Sequence, residues 1–338
     1  MQKKLRKIKV LVTGAGSGVG QSIIRALKKS DLNLEVIAAD INRFNAGLYF
    51  TKKYLIIPKV EEKNSKEILL KIFKKNKINI LFIGSELELL FFSKNKFFFE
   101  TQSNIKICVS PVNTIKISND KYLTYKFLKE KNISHPRTFL VKNFLDAKKI
   151  SKILNFPFIL KNRIGTSSRE VFLIKNINDL KNNLKLLKDP IIQEALIFKK
   201  NKGIPLIKEY TCSFFTTYDK KVLGPFIANR TIKNGTSWIV KTDKFFSNRL
   251  KDLILKIAKS IDNVGSFNIQ LAKTSKGEIP FEFNSRFSGT SSVRANFGFN
   301  EPEFFIKSYF LKQNINSNKI KIKQGVCLRY VDEIFLKN

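Results

Sequence analysis

The sequence predicts an α/β domain with a parallel sheet, followed by an α+β module with antiparallel strands. Over residues 8–115, short apolar segments alternate with helix-like segments, which is typical of βαβ units and a parallel sheet. A glycine-rich octet, Thr13 to Gly20, directly follows the first apolar segment. The later part of the chain is richer in strand-like segments, and in one of them, Phe281–Arg286, Phe alternates with polar residues.

The parallel-sheet domain is predicted to occupy residues 1–117. The polar residues Ser118, Asn119 and Asp120 are suited to the start of a new helix, so the second module is predicted to begin at residue 118. The predicted elements of the first domain are the strands Lys9–Val12, Leu34–Ala39, Ile78–Ile83 and Ile105–Val109 and the helices Gly20–Lys29 and Ser65–Lys75.

The second module, residues 118–338, is predicted to have a small part, 118–197, and a larger part, 198–338. The segment Ile133–Phe139 contains Pro136 and is predicted to be a connector. The other predicted elements are the helices Lys121–Lys131 and Leu250–Ile261, the strands Phe158–Lys161, Val171–Ile174, Ile191–Gln193, Asn268–Ala272 and Ile279–Asn284, and a strand-rich stretch from Lys208 to Val240.

Composition excludes several classes of function. The 63 Lys and Arg residues outnumber the 27 Asp and Glu residues, for a net charge of +36, but the lysines are spread evenly. We therefore expect no specific nucleic-acid partner.

No apolar run approaches the ~20 residues of a membrane span, and no signal-peptide pattern is found at the N-terminus. The three cysteines lack metal spacing and are predicted to be buried thiols in a cytoplasmic protein.

The glycine octet predicts a Rossmann-type turn, in which the backbone can approach a phosphate closely. Asp40 ends the second strand, where a ribose-binding acid lies in dinucleotide folds. A short-chain dehydrogenase is therefore an alternative, because Tyr122 and Lys126 have the Tyr-x-x-x-Lys spacing and Ser110 lies upstream. That alternative gives no role to the strand-rich region or to the residues after it.

The segment Phe281–Arg286 carries the strongest chemical signal. In a strand, Glu282, Asn284 and Arg286 project from one face, while the Phe residues project toward the core. Carboxylate and amide oxygens can hold Mg²⁺, and a guanidinium can neutralise the polyphosphate that the metal bridges. A solvent-facing edge of an antiparallel strand is the alternative.

The motifs in the second module resemble the ATP-grasp superfamily, in particular single-module relatives of the carbamoyl-phosphate synthase large subunit. These motifs include Asn119-Asp120-Lys121, Phe156 to Lys161, Ile191 to Leu196 and Lys208 to Thr211, and they occur in the family's order. The resemblance covers nearly the whole chain. It implies a Rossmann-like pre-ATP-grasp domain over 1–117 and an ATP-grasp module over 118–338.

The resemblance implies an ATP site. Lys121 and Lys161 would contact the phosphates, although each could be a surface lysine, and Glu209 would accept hydrogen bonds from the ribose. The loop from Arg163 to Val171 would cover the phosphates, with Asn162 and Glu170 standing where Pro and Gly are usual. The loop hydroxyls are Ser167 and Ser168, and the adenine-binding segment would be Glu194, Ala195 and Leu196.

The resemblance also implies a metal site and a substrate site. Gln270, Glu282 and Asn284 would bind Mg²⁺ or Mn²⁺, with two ions expected, and Arg286 would stabilise the transferred phosphoryl group. Arg230 and Arg294 could equally be structural. The residues proposed for the substrate are Gly16, Ser85, Glu86, Arg230, Ser288 and Arg294.

The function implied is an ATP-dependent ligase that activates a carboxylate as an acyl phosphate for attack by an amine or ammonia. Its partners would be these small molecules, and a homodimer is compatible with the family. A nucleotide-binding regulatory protein with low turnover is an alternative, because the phosphate-covering loop has lost glycines. The dehydrogenase is the other alternative.

Overall fold

The structure is a computed structural model, and it describes residues 7–165, 170–197, 199–201, 204–206, 208–233, 235–243 and 246–336. Two of the predicted nucleotide-binding residues, Ser167 and Ser168, lie outside the described residues. The described residues divide among three main sheets, one parallel and two antiparallel, with one further two-stranded ribbon.

The first domain contains a five-stranded parallel sheet in the order β3-β2-β1-β4-β5. Short buried strands with helices on both faces are the usual form of such a sheet. Its elements are β1 Ile8–Thr13, α1 Gly18–Leu27, β2 Leu34–Asp40, a 3₁₀ helix Ala46–Phe50, β3 Lys53–Ile56, α2 Ser65–Asn76, β4 Ile80–Ile83, α3 Glu86–Lys94, α4 Lys96–Ser103, β5 Lys106–Cys108 and α5 Val112–Asn119.

The second module contains a four-stranded antiparallel sheet, β6-β9-β7-β8, and a six-stranded one, β16-β15-β12-β13-β14-β17. Its elements are α6 Lys121–Glu130, β6 Thr138–Leu140, α7 Phe144–Leu154, β7 Phe158–Asn162, β8 Val171–Ile174, α8 Ile177–Leu184, β9 Pro190–Glu194, β10 Lys199–Asn201, β11 Ile204–Leu206, β12 Lys208–Thr216, β13 Val222–Lys233, β14 Thr236–Thr242, α9 Asn248–Ser260, β15 Gly265–Thr274, β16 Gly277–Asn284, α10 Ser291–Asn296, α11 Glu301–Phe305, a π-helical turn Ile306–Phe310, a 3₁₀ helix Ser317–Lys319 and β17 Gly325–Leu328.

One hydrophobic core joins the two domains. Helix α1 and one face of the parallel sheet pack against the C-terminal helices, and this core includes Phe82, Phe287 and Phe305. The Phe82 ring meets Phe287 edge-on at 5.1 Å and Phe305 at 5.4 Å between centroids. Polar contacts cross the same boundary, where the Ser22 hydroxyl accepts a hydrogen bond from the backbone N–H of Ser292 at 2.7 Å. The parallel sheet is therefore held firmly against the second module.

The predicted fold class, a parallel-sheet domain followed by an α+β module, is confirmed. The predicted connector Ile133–Phe139 is wrong at its end, because β6 begins at Thr138, two residues after Pro136. The prediction of three buried thiols is wrong for Cys327. It lies half-buried on β17, the strand at the edge of the six-stranded sheet. Burial raises the pKa of the Cys108 and Cys212 thiols.

The alternation predicted for Phe281–Arg286 also differs at one position. Strand β16 bulges opposite the Gln270–Leu271 step, so that Glu282 pairs with Gln270 while Pro280 pairs with Leu271. Phe281 is the extra residue of this bulge, and it lines the cleft described below instead of the core. Phe283 does lie in the core.

Replacing Phe82 by Ala is expected to cost about 3–5 kcal/mol of stability, because it empties a buried ring position shared by the two domains. Urea unfolding followed by fluorescence of Trp238, the single Trp of the chain, checks this from the second module. Phe73→Ala is the matched control, since Phe73 is also buried but packs only within the first domain. An unchanged Trp238 transition in Phe82→Ala would contradict the shared core.

Candidate active site

A cleft of about 760 Å³ lies where the parallel-sheet domain and the two antiparallel sheets meet. The glycine-rich turn, the β4–α3 turn, β7, β12, β13 and the β15–β16 hairpin contribute to its walls. Predicted site residues that line it are Lys121, Lys161, Glu209, Arg230, Gln270, Glu282, Asn284, Arg286, Ser85, Glu86 and Ser288.

The β15–β16 hairpin places four polar side chains in a compact array. Gln270 pairs with Glu282 and Asn268 pairs with Asn284 across the two strands. The amide nitrogens of Gln270 and Asn284 donate to the same carboxylate oxygen, Oε1 of Glu282, at 3.2 and 3.1 Å. Rotation of either amide by 180° exchanges its nitrogen and oxygen. If both amides rotate, three side-chain oxygens can converge on one point.

This donor set fits a hard cation. One carboxylate and two amide oxygens are typical ligands of Mg²⁺, which completes its coordination with water and phosphate oxygens. Among the described residues, no group of three or more His, Cys, Asp or Glu side chains is placed to hold a metal ion. At the hairpin, the donors available to a metal would be Glu282, the two amides and ligand oxygens.

Two lysines project into the cleft from the small part of the module. Lys161, on β7, is buried, and its ammonium donates to Oε1 of Gln193 at 2.8 Å. Burial, followed by repulsion from Lys121, lowers its pKa to about 8, against the attraction of Glu282 and Glu209. Burial also lowers the pKa of Lys121. For both ammonium groups, burial outweighs the attraction of the nearby carboxylates. An anionic ligand would supply further negative charge.

Lys121 is fixed by the start of α6. The Asp120 carboxylate caps this helix by accepting from the backbone N–H groups of Tyr122 and Leu123, and its other oxygen binds the Arg163 guanidinium at 2.6 Å. The Lys121 ammonium donates to the Gly165 carbonyl at 2.9 Å. The first residues of the predicted phosphate-covering loop are therefore tied to the start of α6, where Lys121 is predicted to bind phosphate.

The far end of that loop begins at Glu170, where the family usually has Gly. Glu170 has a φ of 59°, in the left-handed region, which Gly adopts without the cost that a side chain brings. Its carboxylate accepts a hydrogen bond from the Asn162 amide at 2.5 Å. Asn162 also accepts from the backbone N–H groups of Lys188 and Asp189 through Oδ1. Local hydrogen bonds therefore support the strained position.

Arg230 connects the predicted ribose site to the predicted metal site. Its Nη2 donates to Glu209 at 2.8 Å and to the Gln270 side-chain oxygen at 2.6 Å. Arg230 therefore lies between the two predicted sites. Both of its partners are side chains of the same six-stranded sheet.

Arg286 follows β16 and makes a contact between domains. Its guanidinium binds the Glu86 carboxylate, at the start of α3, at 2.7 Å, and it also donates to the Phe287 carbonyl at 3.0 Å. Both side chains are 17% exposed, so the pair is largely withdrawn from water while still lining the cleft. The first domain therefore positions Arg286.

Three predicted site features lie outside the residues that line the cleft. Glu194, Ala195 and Leu196 are half-buried at the end of β9 and after it, and the Glu194 carboxylate contacts Arg137. The prediction for Arg294 needs correction. Arg294 is fully buried in an ion pair with Glu301 at 3.1 Å and has no exposed surface for a substrate.

Gly16 is the third such feature, and its surroundings bear on the dehydrogenase alternative. Its backbone N–H donates to the buried Asp40 carboxylate at 2.7 Å, and a Cβ at Gly16 would come within 2.3 Å of the Asn45 side chain. The acid that would bind a ribose is therefore hydrogen-bonded inside the domain, where Asn45 also donates to it at 2.6 Å.

The three residues of the dehydrogenase alternative do not line this cleft. The Ser110 hydroxyl is buried and donates to Asn263 at 2.8 Å. Lys126 is exposed on α6. Tyr122 packs against Tyr125 on the same helix, with ring centroids 5.7 Å apart. These contacts and the family match below overturn the dehydrogenase alternative.

Comparison with known families identifies both parts of the chain. A PylC-like N-terminal domain matches residues 10–108, and a RimK-like ATP-grasp domain matches residues 118–301, more than half of the chain. The chain belongs to the RimK-like ATP-grasp family. This match confirms the predicted ATP-grasp superfamily, which includes enzymes of the carboxylate–amine ligase type.

Solved structures of ATP-grasp proteins share the fold. N5-carboxyaminoimidazole synthetase from Staphylococcus aureus is 17% identical, with a TM-score of 0.68 over 94% of this chain and 81% of that chain. The biotin carboxylase domain of 2-oxoglutarate carboxylase from Hydrogenobacter thermophilus, solved as a dimer with MgADP, ADP and bicarbonate, is 16% identical. Its TM-score is 0.74 over 94% of this chain and 73% of that chain.

A curated relative matches over a shorter region. Coenzyme gamma-F420-2:alpha-L-glutamate ligase from Methanococcus maripaludis is 35% identical over 65 residues, which are 19% of this chain and 23% of the ligase. No helix among the described residues of this ATP-grasp protein is long and apolar enough to cross a membrane.

Asn268 and Arg329, which line this ATP-grasp cleft, and Gln193, which contacts Lys161, were not among the predicted site residues. Asn268 lies two residues before Gln270, so the period of the strand could have identified it. Gln193 fixes Lys161 and itself donates to the Thr138 hydroxyl at 2.9 Å, a pairing between strands that local pattern does not encode. Arg329, after β17, also lines the cleft and has no motif around it.

The Arg294–Glu301 ion pair of the ATP-grasp module is expected to be structural. Arg294→Met should cost about 3–5 kcal/mol in the free energy of unfolding, because it leaves the Glu301 carboxylate buried without its cation. Urea unfolding measures the loss. Arg230→Met is the matched control and should change nucleotide binding more than stability. Full stability in Arg294→Met, with a raised substrate KM, would instead return Arg294 to the substrate site.

Proposed function

We propose that this protein is an ATP-dependent ligase that activates a carboxylate as an acyl phosphate and joins it to an amine. The observation that carries the proposal is the pairing of two groups across one cleft. Lys121 and Lys161 approach from the small part of the module, and the Gln270–Glu282–Asn284 array lies on the hairpin. Cations opposite a cluster of oxygen ligands suit a metal-bound triphosphate.

On the nucleotide side, Lys161 would contact the α- and β-phosphates and Lys121 the phosphates nearer the loop. Glu209 would accept hydrogen bonds from the ribose hydroxyls once its pairing with Arg230 rearranges. The backbone of Glu194 to Leu196 would face the adenine edge. Phosphate charge next to the buried Lys161 and the half-buried Lys121 would offset the cost of desolvating their ammonium groups.

Gln270, Glu282 and Asn284 would hold Mg²⁺, or Mn²⁺, with two ions proposed. Bound there, the metal would neutralise charge on the β- and γ-phosphates during transfer. The amides would turn their oxygens toward the metal, and the Gln270 oxygen would have to exchange its bond to Arg230 for the metal. Glu282 supplies the charge of the site and is its central ligand.

Transfer needs alignment of reactants and stabilisation of charge more than a protein nucleophile. Arg286 would bind the transferred phosphoryl group, held in place by Glu86 across the domain boundary. Ser85 and Ser288 line the same end of the cleft and would orient the carboxylate substrate. The amine would then attack the acyl phosphate and displace inorganic phosphate.

The relatives support carbon–nitrogen bond formation as the outcome. One is named as a glutamate ligase and another as a carboxyaminoimidazole synthetase. A nucleotide-binding regulatory protein is the alternative, and it would differ from a ligase by its low turnover of ATP. Support for the regulatory alternative comes from Glu170, which replaces a loop glycine at a left-handed position.

The first test is calorimetric titration of the protein with ATP, with and without Mg²⁺, and with NADPH as the comparison ligand. We expect ATP to bind more tightly with Mg²⁺ and NADPH to give no signal. ADP release with a panel of carboxylates and amines then tests the ligase. Tight ATP binding with no ADP release from any pair would favour the regulatory alternative.

Glu282→Gln is expected to remove most of the Mg²⁺-dependent gain in ATP affinity and to lower turnover at least tenfold, because it removes the only carboxylate of the proposed metal site. Calorimetry at several Mg²⁺ concentrations measures the gain. Glu278→Gln on the same strand is the control. Equal Mg²⁺ dependence in Glu282→Gln and the unmodified protein would argue against this site.

ATP binding is expected to take up protons above about pH 8. The pKa of Lys161 in the free protein is lowered to about 8, so the side chain is increasingly neutral above that pH, whereas bound phosphate favours its ammonium form. Affinity should therefore fall as pH rises from about 8 toward the ordinary lysine value near 10.4.

Calorimetry in buffers of different ionisation enthalpy measures this proton uptake. Lys161→Arg is the control, because guanidinium stays charged throughout this range; its proton uptake should be smaller and its affinity less dependent on pH. The same uptake in both proteins would assign the linkage to another group.

A further inference from the structure

Arg329 enters the cleft from a part of the chain that lies beyond the matched ATP-grasp region. Strand β17 pairs with Ile239–Thr242 of β14, and the Arg329 backbone N–H continues the pairing by donating to the Trp238 carbonyl at 3.0 Å. The side chain is half-buried and lines the cleft. The edge of the six-stranded sheet therefore carries a fixed cation into the cavity.

The charge of Arg329 is uncompensated, unlike that of the other arginines in the cleft. Arg230 is paired with Glu209, and Arg286 is paired with Glu86. Within the described part of the chain, no carboxylate lies within ion-pair distance of Arg329, whose guanidinium donates to the Gly289 carbonyl. Burial and the nearby Arg25 lower its pKa. A partly desolvated cation without a counter-ion favours an anionic ligand.

The surroundings of Arg329 leave room for such a group. Gly289 lies against Gly18, since a Cβ at Gly289 would be 3.8 Å from the Gly18 carbonyl oxygen, and a Cβ at Gly18 would meet no atom within 4 Å. Ser17, Ser288 and Thr290 line the same cavity. This end of the cleft is walled by glycine backbone and hydroxyl groups, and the acids Glu209 and Glu86 are already occupied by the other arginines.

We propose that Arg329 binds a carboxylate or phosphate group of the substrate, separate from the carboxylate that is activated. This proposal rests on the ligase function proposed above, in which Arg286 serves the reacting phosphoryl group. One of the two joined molecules then carries a second oxyanion, as an α-amino acid acceptor or a phosphorylated small molecule does. A guanidinium can hold either group through two parallel hydrogen bonds.

The test is calorimetry at constant ionic strength, with inorganic phosphate and L-glutamate as separate probes of the full-length protein in saturating MgADP. Constant ionic strength is needed because the net charge of +36 attracts anions non-specifically. At least one probe should bind, and Arg329→Gln should weaken it about ten- to a hundredfold, the usual value of a hydrogen bond to a charged group. The probe that loses more affinity identifies the oxyanion.

Two further variants make the result specific. Arg329→Lys should retain part of the affinity, because it keeps the charge without the planar fork. Arg249→Gln is the matched control, since Arg249 also donates to a backbone carbonyl, that of Lys276, but lies exposed outside the cleft. Melting temperature checks that each variant is folded, and ADP titration checks that the nucleotide site is unchanged.

Three results would overturn the proposal. They are an unchanged anion affinity in Arg329→Gln, an equal loss of anion affinity in Arg249→Gln, and no binding of either probe at a concentration about 20-fold above the expected millimolar dissociation constant. Failure of the ligase function has a different signature. In that event no ADP would be released with any acceptor, while the Arg329-dependent anion binding in saturating MgADP would persist.

Discussion

The pairing register of the β15–β16 hairpin is the constraint on which the site depends. It places Gln270 opposite Glu282 and Asn268 opposite Asn284, while Ile269 and Phe283 project into the core on the other face. A shift of one residue would reverse the two faces, burying the carboxylate and exposing the aromatic ring. The stability of the core therefore specifies the positions of the proposed metal ligands. The bulge at Phe281 adjusts this register without moving Glu282 out of the cleft.

Charge within the cleft is organised by pairing, despite the large positive charge of the whole chain. Arg230 and Arg286 each face a carboxylate, whereas Lys161 is held by the neutral Gln193 amide. The neutral partner orients the ammonium without adding a negative charge, while burial and the nearby Lys121 lower its pKa. An anionic ligand would gain most of its interaction energy at such a position, because no protein carboxylate has to be displaced. The lysines are thus better suited to phosphate than the paired arginines are.

Features with a local pattern were predictable from the sequence, and features that depend on distant partners were not. The hairpin, the glycine turn and the strand of Lys161 each have a period or a turn signal within a few residues. The Glu86–Arg286 contact joins residues 200 positions apart, and no local signal reports it. Arg294 looked like a cleft residue because it follows the Ser288 loop, but its burial depends on the position of Glu301. Arg329 enters the cleft only because β17 joins the sheet edge.

The glycine-rich turn illustrates why a fold signal need not be a ligand signal. A Cβ at Gly20 would lie 2.2 Å from the Gly14 carbonyl oxygen, and one at Gly84 would lie 2.4 Å from the Thr13 carbonyl oxygen. The glycines therefore allow β1, α1 and the β4–α3 turn to approach one another. This approach brings Ser17, Gly18 and Ser85 to the cleft wall, while Asp40 satisfies the turn's own backbone at Gly16. Packing accounts for Gly20 and Gly84, and in the proposed ligase the turn would form a wall of the substrate site in place of a dinucleotide site.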